Sequence, residues 1–268
     1  MIMWRFYPLL ILHLLTVQPI TGQTLPVDEN GLTRQYPQLS LVFNRIFNGA
    51  GLDSFYGKFQ QVRSTAKGRI HILHIGDSHL QSDHLPGEVR RGLQPAAAGD
   101  SDRLQYRTLS INGARFSTFL SSAALGEQLR SLQPDLCIVS LGTNDAMLAS
   151  VNESELRRDL DRLQTLIRQY SPSTALLFTT AADSFKIGQS NRELLNVNLI
   201  LVAWCNENRL PVWDLYYVTN GIGSAYRWSR QGLLSADGIH FTATAYRLQG
   251  RLLYNALAKG YNNYISGY

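Results

Sequence analysis

The stretch from Arg69 to His79, RIHILHIGDSH, places a short apolar run directly before a glycine, an acid and a serine. A run of this length and composition, bounded by a turn residue, is typical of a buried β-strand. Four further runs of the same kind follow it along the chain. They are RLQYRTLSI (103–111), DLCIVSL (135–141), TALLFTTA (174–181) and LPVWDLYYV (210–218).

Helical patterns separate these runs, and a last one follows them. Since each helix can supply the long crossover that a parallel strand pair needs, the alternation predicts a parallel sheet covered on both faces. We expect an α/β protein, a three-layer α/β/α sandwich with a central, mostly parallel five-stranded sheet. A further helix at about 52–64 is expected to lead into it. The separating helical patterns cover residues 85–93, 116–132, 153–170, 191–208 and 242–258.

The N-terminal segment differs from the rest of the chain. One arginine, Arg5, precedes an apolar run of about eleven residues, and small and polar residues follow near Gly22. Such a run is shorter than the roughly 20 residues that cross a bilayer, and the pattern is typical of a secretory signal. We therefore expect a signal peptide at 1–22, a connector at 23–39, a domain at 40–268, and export to the periplasm or beyond. The alternative is a buried N-terminal helix.

Composition and charge exclude some partners. The formal charge is +5, and removal of Arg5 with the signal would lower it to +4. The basic residues are scattered, so we expect no nucleic-acid partner, and no membrane span in the mature chain. Cys137 lies in an apolar run and Cys205 in a helical pattern, which favours two buried free thiols; a single bridge between them is the alternative.

Polar residues follow three of the predicted strands and precede the last helix. The segments are IGDSH, INGAR, LGTND and ADGIHFT. In an open parallel sheet, binding and catalytic groups collect beyond the carboxyl ends of the strands. We expect these four segments to meet above one edge of the sheet.

The residue types in these segments fit acyl transfer through a serine. Ser78 supplies a hydroxyl nucleophile, His240 a base, and Asp237 a carboxylate that can orient the imidazole across Gly238. A developing oxyanion needs hydrogen-bond donors, and the candidates are the backbone N–H groups of Ser78 and Gly113 and the side-chain amide of Asn144. No step of this chemistry requires a metal or a cofactor.

With these residues the chain resembles the SGNH hydrolases, also called the GDSL family. The four blocks of that family correspond here to residues 76–78, 112–114, 142–145 and 237–240, in the family's order. The resemblance covers roughly residues 69–258 and implies a flavodoxin-like fold, an ester-hydrolase activity and a Ser78, His240 and Asp237 triad. It identifies 40–268 as the hydrolase domain.

One residue that differs from the family's usual pattern indicates a particular branch of the family. Leucine usually follows the family's serine, whereas this chain has His79. The variant resembles the branch that contains bacterial peptidoglycan O-acetylesterases and other exported carbohydrate esterases. The resemblance implies an acetylated glycan substrate. We expect His79 to pack or form a hydrogen bond beside the nucleophile loop and to contact substrate. An acyltransferase that uses the same acyl-serine, and an inactive glycan-binding protein, are the alternatives.

Several other polar and aromatic residues allow two interpretations. His71 and His74 point to opposite faces of a strand, and His79 and His84 lack a metal-like spacing, so we predict no metal site. Asp145 is expected to support the loop of Asn144. Asp183 and Ser184 either line the cleft or cap the segment before Asn191. An aromatic group either stacks on sugar rings or packs over the core; it comprises Tyr216, Tyr217, Tyr226 and Trp228.

Overall fold

The computed structural model describes residues 24–94 and 103–267. The predicted signal peptide therefore lies outside the described residues. Eight strands are present in the described part of the chain. They are β1 (Ile46–Phe47), β2 (Ile70–Gly76), β3 (Leu104–Ser110), β4 (Leu136–Ser140), β5 (Ala175–Thr179), β6 (Phe185–Lys186), β7 (Gln189–Ser190) and β8 (Val212–Trp213).

Six of these strands form the central sheet, in the order β1-β8-β5-β4-β2-β3. Every neighbouring pair is parallel except β1 and β8. The mostly parallel sheet is confirmed, and the expected count of five is one too low. The sixth strand, β1, escaped prediction because two residues carry no periodicity. β6 and β7 form a separate antiparallel hairpin.

Helices cover both faces of the sheet. Among the described residues they are α1 (Glu29–Gln35), α2 (Asp53–Thr65), α3 (His84–Leu93), α4 (Phe116–Leu120), α5 (Ala123–Leu132), α6 (Glu153–Tyr170), α7 (Arg192–Glu207), α8 (Leu215–Val218), α9 (Ser224–Arg230) and α10 (Ala243–Ser266). Short 3₁₀ turns occupy Leu41–Phe43, Gly49–Leu52 and Ser78–Leu80. None of the helices described is both long and apolar enough to cross a bilayer.

Alternate residues of the strands feed two hydrophobic cores. On β2, Ile70 and Ile72 pack on the face that α2, α3 and α10 cover. Leu73 and Ile75 pack on the face that α4–α7 cover. Since successive side chains of a strand point to opposite faces, a run that is apolar throughout is what a sheet buried on both sides requires. The three-layer prediction is confirmed.

Two boundaries differ from the sequence pattern. The predicted helix over 116–132 is two helices, because Ser122 caps α5 by accepting from Leu125 N–H. The run at 210–218 contributes only Val212–Trp213 to the sheet, because Asp214 caps α8 immediately afterwards. Asn152 caps α6 by accepting from Glu155 N–H. Cys137 and Cys205 are buried free thiols.

Candidate active site

The loop after β2 carries Ser78 and is fixed against the sheet. Gly76 ends the strand where only glycine fits, since a Cβ there would lie 2.6 Å from the Ser140 carbonyl oxygen of β4. The carboxylate of Asp77 is buried and accepts from His79 N–H at 3.0 Å. Ser78 therefore starts a short turn whose position is set by the core.

Ser78, His240 and Asp237 form one chain of hydrogen bonds. Ser78 Oγ lies 2.8 Å from His240 Nε2, and His240 Nδ1 lies 2.7 Å from Asp237 Oδ2. With Nδ1 as the donor to the carboxylate, Nε2 is the acceptor that faces the serine hydroxyl. The structure thus brings all three predicted residues together across 162 positions of sequence.

A tight turn holds Asp237 under the imidazole. Asp237 Oδ1 accepts from the N–H groups of Ile239 and His240, each at 2.9 Å. Gly238 has a φ of +71°, a left-handed conformation that glycine adopts without strain. Partial burial raises the pKa of Asp237, but the bonds from Ile239 N–H and from the ring and N–H of His240 outweigh it and lower that pKa below its ordinary value. The carboxylate therefore stays ionised beside the imidazole.

The rest of the fold anchors this turn from two sides. Ser235 N–H donates to the His240 carbonyl at 2.8 Å, and Phe185 N–H donates to the Gly238 carbonyl at 2.7 Å. The side chains of Asp237 and His240 are 49% and 39% exposed. The base and its carboxylate thus lie at an open surface, whereas the nucleophile loop is backed by the core.

Two of the three expected oxyanion donors have free N–H groups. No described residue accepts a hydrogen bond from the N–H of Ser78 or of Gly113. Gly113 is exposed, has a φ of +68°, and a Cβ built on it would have no protein atom within 4 Å. No side chain of Gly113 therefore stands in the way of a substrate, and the space where a Cβ would lie is open.

Asn144 connects the loops of the candidate site. Its Nδ2 donates to Asp77 Oδ2 at 3.0 Å and to the Ala114 carbonyl at 3.1 Å. Both hydrogens of the amide are thus in use, and they join the segments after β2, β3 and β4. An oxyanion would have to share one of these hydrogens with its present acceptor.

Asp145 follows Asn144 on the same loop. It is buried, and its Oδ2 has no hydrogen-bond partner among the described residues. Burial raises the pKa of Asp145 to about 7, and the hydrogen bonds from the backbone N–H groups of Phe116 and Asp145 only partly oppose it. Support of the Asn144 loop by Asp145 stays a prediction.

His79 packs behind the base. Its ring centroid lies 5.1 Å from that of His240, and its Nδ1 lies 2.9 Å from Tyr246 Oη. Its Nε2 is buried and has no hydrogen-bond partner among the described residues. Burial lowers the pKa of His79, and the nearby Asp77 and Asp237 carboxylates oppose that effect. A neutral ring beside His240 follows, and contact of His79 with substrate stays a prediction.

The other histidines of the described strands and helices lie apart from the triad. His74 is buried between Tyr106 Oη and Ser140 Oγ, each at 2.7 Å, and burial lowers its pKa to about 3. His71 points to the opposite face and meets the Leu132 carbonyl, as the strand pattern predicts. His84 begins α3.

The structure separates the aromatic group into two pairs. Tyr216 and Trp228 are buried, whereas Tyr217 and Tyr226 are 43% and 47% exposed. Asp183 is buried beneath the β6–β7 hairpin, where its carboxylate accepts from Ser190 Oγ and Ala225 N–H. Asp183 thus braces the segment before Asn191 and does not line an open cleft. Ser184 is buried as well.

Sequence reasoning missed three residues that shape the site: Asp77, Phe185 and Tyr246. Asp77 sits inside the GDS block, and its place before the serine is the signal that could have identified a loop-fixing carboxylate. Phe185 and Tyr246 carry no such signal, because their contacts with Gly238 and His79 join distant parts of the chain.

Comparison with known proteins now identifies the family. The family model of the GDSL-like lipase/acylhydrolases matches residues 74–248. The chain belongs to that family. The matched region includes every residue of the candidate triad, and membership indicates a hydrolase of ester bonds. No curated protein sequence matches this family member.

Solved structures of other proteins share its fold. A peptidoglycan O-acetylesterase is 16% identical, with a TM-score of 0.70 over 80% of this chain and 97% of its own. An acetyl esterase variant with bound acetate is 13% identical, with a TM-score of 0.56 over 71% of this chain and 97% of its own. A putative acylhydrolase from Bacteroides fragilis is 17% identical, with a TM-score of 0.53 over 78% and 96%. At these identities the likeness shows the flavodoxin-like fold of SGNH hydrolases.

Proposed function

We propose that the protein is an exported serine esterase that removes O-acetyl or similarly short acyl groups from a glycan. The observation that carries this proposal is the hydrogen-bond chain from Ser78 through His240 to Asp237, with the base at an open surface. A hydroxyl that is hydrogen-bonded to an imidazole, itself oriented by a carboxylate, is equipped for acyl transfer.

The reaction proceeds in two halves. Ser78 Oγ attacks the ester carbonyl carbon while His240 Nε2 takes the hydroxyl proton, giving a tetrahedral oxyanion. Collapse breaks the bond to the sugar oxygen, which receives the proton from His240, and leaves an acyl-serine. Water then attacks the acyl carbon, His240 takes its proton, and collapse returns that proton to Ser78 and releases the carboxylic acid.

The oxyanion would lie against the free N–H groups of Ser78 and Gly113. Asn144 would add a third donor by sharing a hydrogen that now serves Asp77 or Ala114. Each such donor contributes most where the negative charge develops, and the loss of one typically costs about 10² to 10³ in turnover.

The glycan substrate is inferred from the openness of the site and from the branch resemblance. The exposed side chains of Asp237 and His240 allow a bulky polymer to approach the serine, and an acetyl group needs no deep apolar tunnel. The peptidoglycan O-acetylesterase among the structural neighbours is consistent with this substrate class. Export through a signal peptide at 1–22 would bring the domain at 40–268 to such a substrate.

Acetate release from a substrate panel tests this function. The purified protein is assayed on 4-nitrophenyl acetate and on acetylated peptidoglycan, xylan and sialic acid. Ser78→Ala and His240→Ala should each lower kcat/KM by about 10⁴-fold or more. Ser82→Ala is the matched control, since Ser82 is exposed four residues further along. Unchanged turnover in either triad variant overturns the mechanism, and acetate release from none of the glycans overturns the substrate class.

A further inference from the structure

The half-exposed Tyr226 lies close to the loop that carries the candidate base. Its ring centroid is 4.7 Å from that of Phe185. Phe185 in turn covers Gly238, where a Cβ would lie 2.8 Å from the Phe185 ring, and its N–H holds the Gly238 carbonyl. A single aromatic ring therefore separates Tyr226 from the turn between Asp237 and His240.

The β6–β7 hairpin beside Tyr226 exposes an apolar side chain in a strained conformation. Ile187 at its tip is 96% exposed and has a φ of +51°, and Gly188 follows with a φ of +71°. Hairpin turns of this kind favour Asn or Asp before the glycine, because a β-branched residue with positive φ is strained. A residue other than isoleucine at position 187 would therefore make the folded protein more stable. Backbone strain of this kind concentrates at functional sites.

The hairpin is held firmly in spite of its exposed tip. Lys186 Nζ donates to the carbonyls of Ala146 and Leu148, and Ser190 Oγ donates to the buried Asp183. Tyr226 Oη donates to the Gly188 carbonyl at 3.3 Å, and the Tyr226 ring packs against Phe185. The exposed ring and the exposed Ile187 are thus pre-positioned on a braced support.

We propose that Tyr226 and Ile187 form a sugar-binding ledge that packs against a pyranose ring next to the acylated sugar. The inference rests on the proposed glycan esterase function and names a subsite for it. A pyranose has C–H groups on its faces and hydroxyls at its rim. The half-exposed ring face of Tyr226 can pack against the C–H groups. The exposed side chain of Gln189 on the same hairpin can form hydrogen bonds with the hydroxyls. An acyl chain would instead require an enclosed apolar pocket.

The test compares a polymer with a small ester in matched variants. Tyr226→Ala should raise KM about tenfold for the acetylated oligosaccharide that the wild type cleaves best, with kcat nearly unchanged. Its kcat/KM for 4-nitrophenyl acetate, which has no flanking sugar, should stay at the wild-type value. Tyr226→Phe keeps the ring and should behave like the wild type on both substrates.

Tyr217→Ala is the control for a general loss of surface aromatics. Tyr217 is exposed to a similar extent, but its ring contacts are with Phe43 and Tyr216. An unchanged KM in Tyr226→Ala for an oligosaccharide that the wild type cleaves overturns the ledge. So does an equal loss on 4-nitrophenyl acetate, which would indicate a displaced catalytic turn. A selective loss on 4-nitrophenyl octanoate would assign the surface to an acyl chain instead. If the wild type cleaves the small ester but no glycan, the proposed function itself fails.

Discussion

The two halves of the candidate triad are held in different ways. Ser78 follows a seven-residue strand, β2, that pairs with β3 on one side and β4 on the other, and the Asp77 carboxylate beside it is buried. Asp237 and His240 lie on an exposed turn outside the sheet, and their geometry comes from bonds within four residues of sequence. Sheet packing positions the nucleophile, and a short self-bonded turn positions the base.

This difference teaches where the site is vulnerable. The nucleophile loop shares its stability with both hydrophobic cores, so small local changes are resisted. The turn depends on Gly238 and on the N–H groups of Ser235 and Phe185. Changes to the turn should therefore act on catalysis with little effect on folding, and changes beneath the sheet edge should do the reverse.

The largest expected effect comes from the carboxylate of the exposed turn. Asp237→Asn should lower kcat/KM for 4-nitrophenyl acetate by about 10⁴-fold, because the amide no longer stabilises the imidazolium or fixes the tautomer. The thermal midpoint should change little, since Asp237 is half exposed. Steady-state kinetics and calorimetry check both statements; a loss under tenfold would contradict the assigned role.

The next largest effect is expected from substitution of Asn144, which joins the segments after β2, β3 and β4. Asn144→Ala should lower kcat by about 10² to 10³-fold, because it removes an oxyanion donor. It should also lower the free energy of unfolding, because the buried residues Asp77 and Ala114 each lose a hydrogen-bond partner. If the variant is less stable but keeps the wild-type kcat, Asn144 has a structural role and does not stabilise the oxyanion.

Gly238→Ala probes the turn without removing a reacting group. A methyl group meets the Phe185 ring and forces an alanine into a left-handed conformation, so kcat/KM should fall about tenfold. Gly232→Ala is the matched control: its φ is +66°, and a Cβ there has no protein atom within 4 Å. If both variants lose activity equally, backbone strain rather than the contact with Phe185 is responsible.

A smaller effect is expected behind the base. His79→Phe keeps a ring against His240 and gives up the bond to Tyr246, so kcat should fall about threefold with KM unchanged. If His79 contacts substrate, as expected from the sequence, the substitution would instead raise KM. The changes in kcat and in KM, measured on an acetylated glycan, distinguish the two roles. A fall in kcat indicates that His79 positions His240, and a rise in KM indicates that His79 contacts substrate.

The smallest expected effect on turnover comes from substitution of the buried residue Asp145. The pKa of Asp145 is raised to about 7 in the folded protein, so between about pH 4 and pH 7 the unfolded chain has lost a proton that the folded one keeps. Stability falls as pH rises through that window. Asp145→Asn should remove this decline and raise the free energy of unfolding at pH 8 by about 2 kcal/mol, with kcat nearly unchanged. Urea unfolding from pH 4 to pH 8 measures it, and parallel curves for both proteins would contradict it.

Much of the fold could be predicted because the strands are buried on both faces. Runs such as DLCIVSL can be recognised as buried strands because they are apolar throughout, and the helices between them predict that the strands are parallel. β1 and the division of 116–132 into two helices could not be predicted. A two-residue strand exists only through its pairing with Trp213 and Val212, and one cap residue divides the helical run.

The sequence by itself determined the layered α/β architecture, the family, and the residue types from which a serine triad can be built. It could do so because apolar periodicity and short polar blocks are local properties of the chain. Only the tertiary structure decided which aromatics are exposed, that His79 packs behind His240, and that Phe185 supports the Gly238 turn. These depend on contacts between residues far apart in the chain, such as His79 with His240 and Phe185 with Gly238, and no local pattern encodes them.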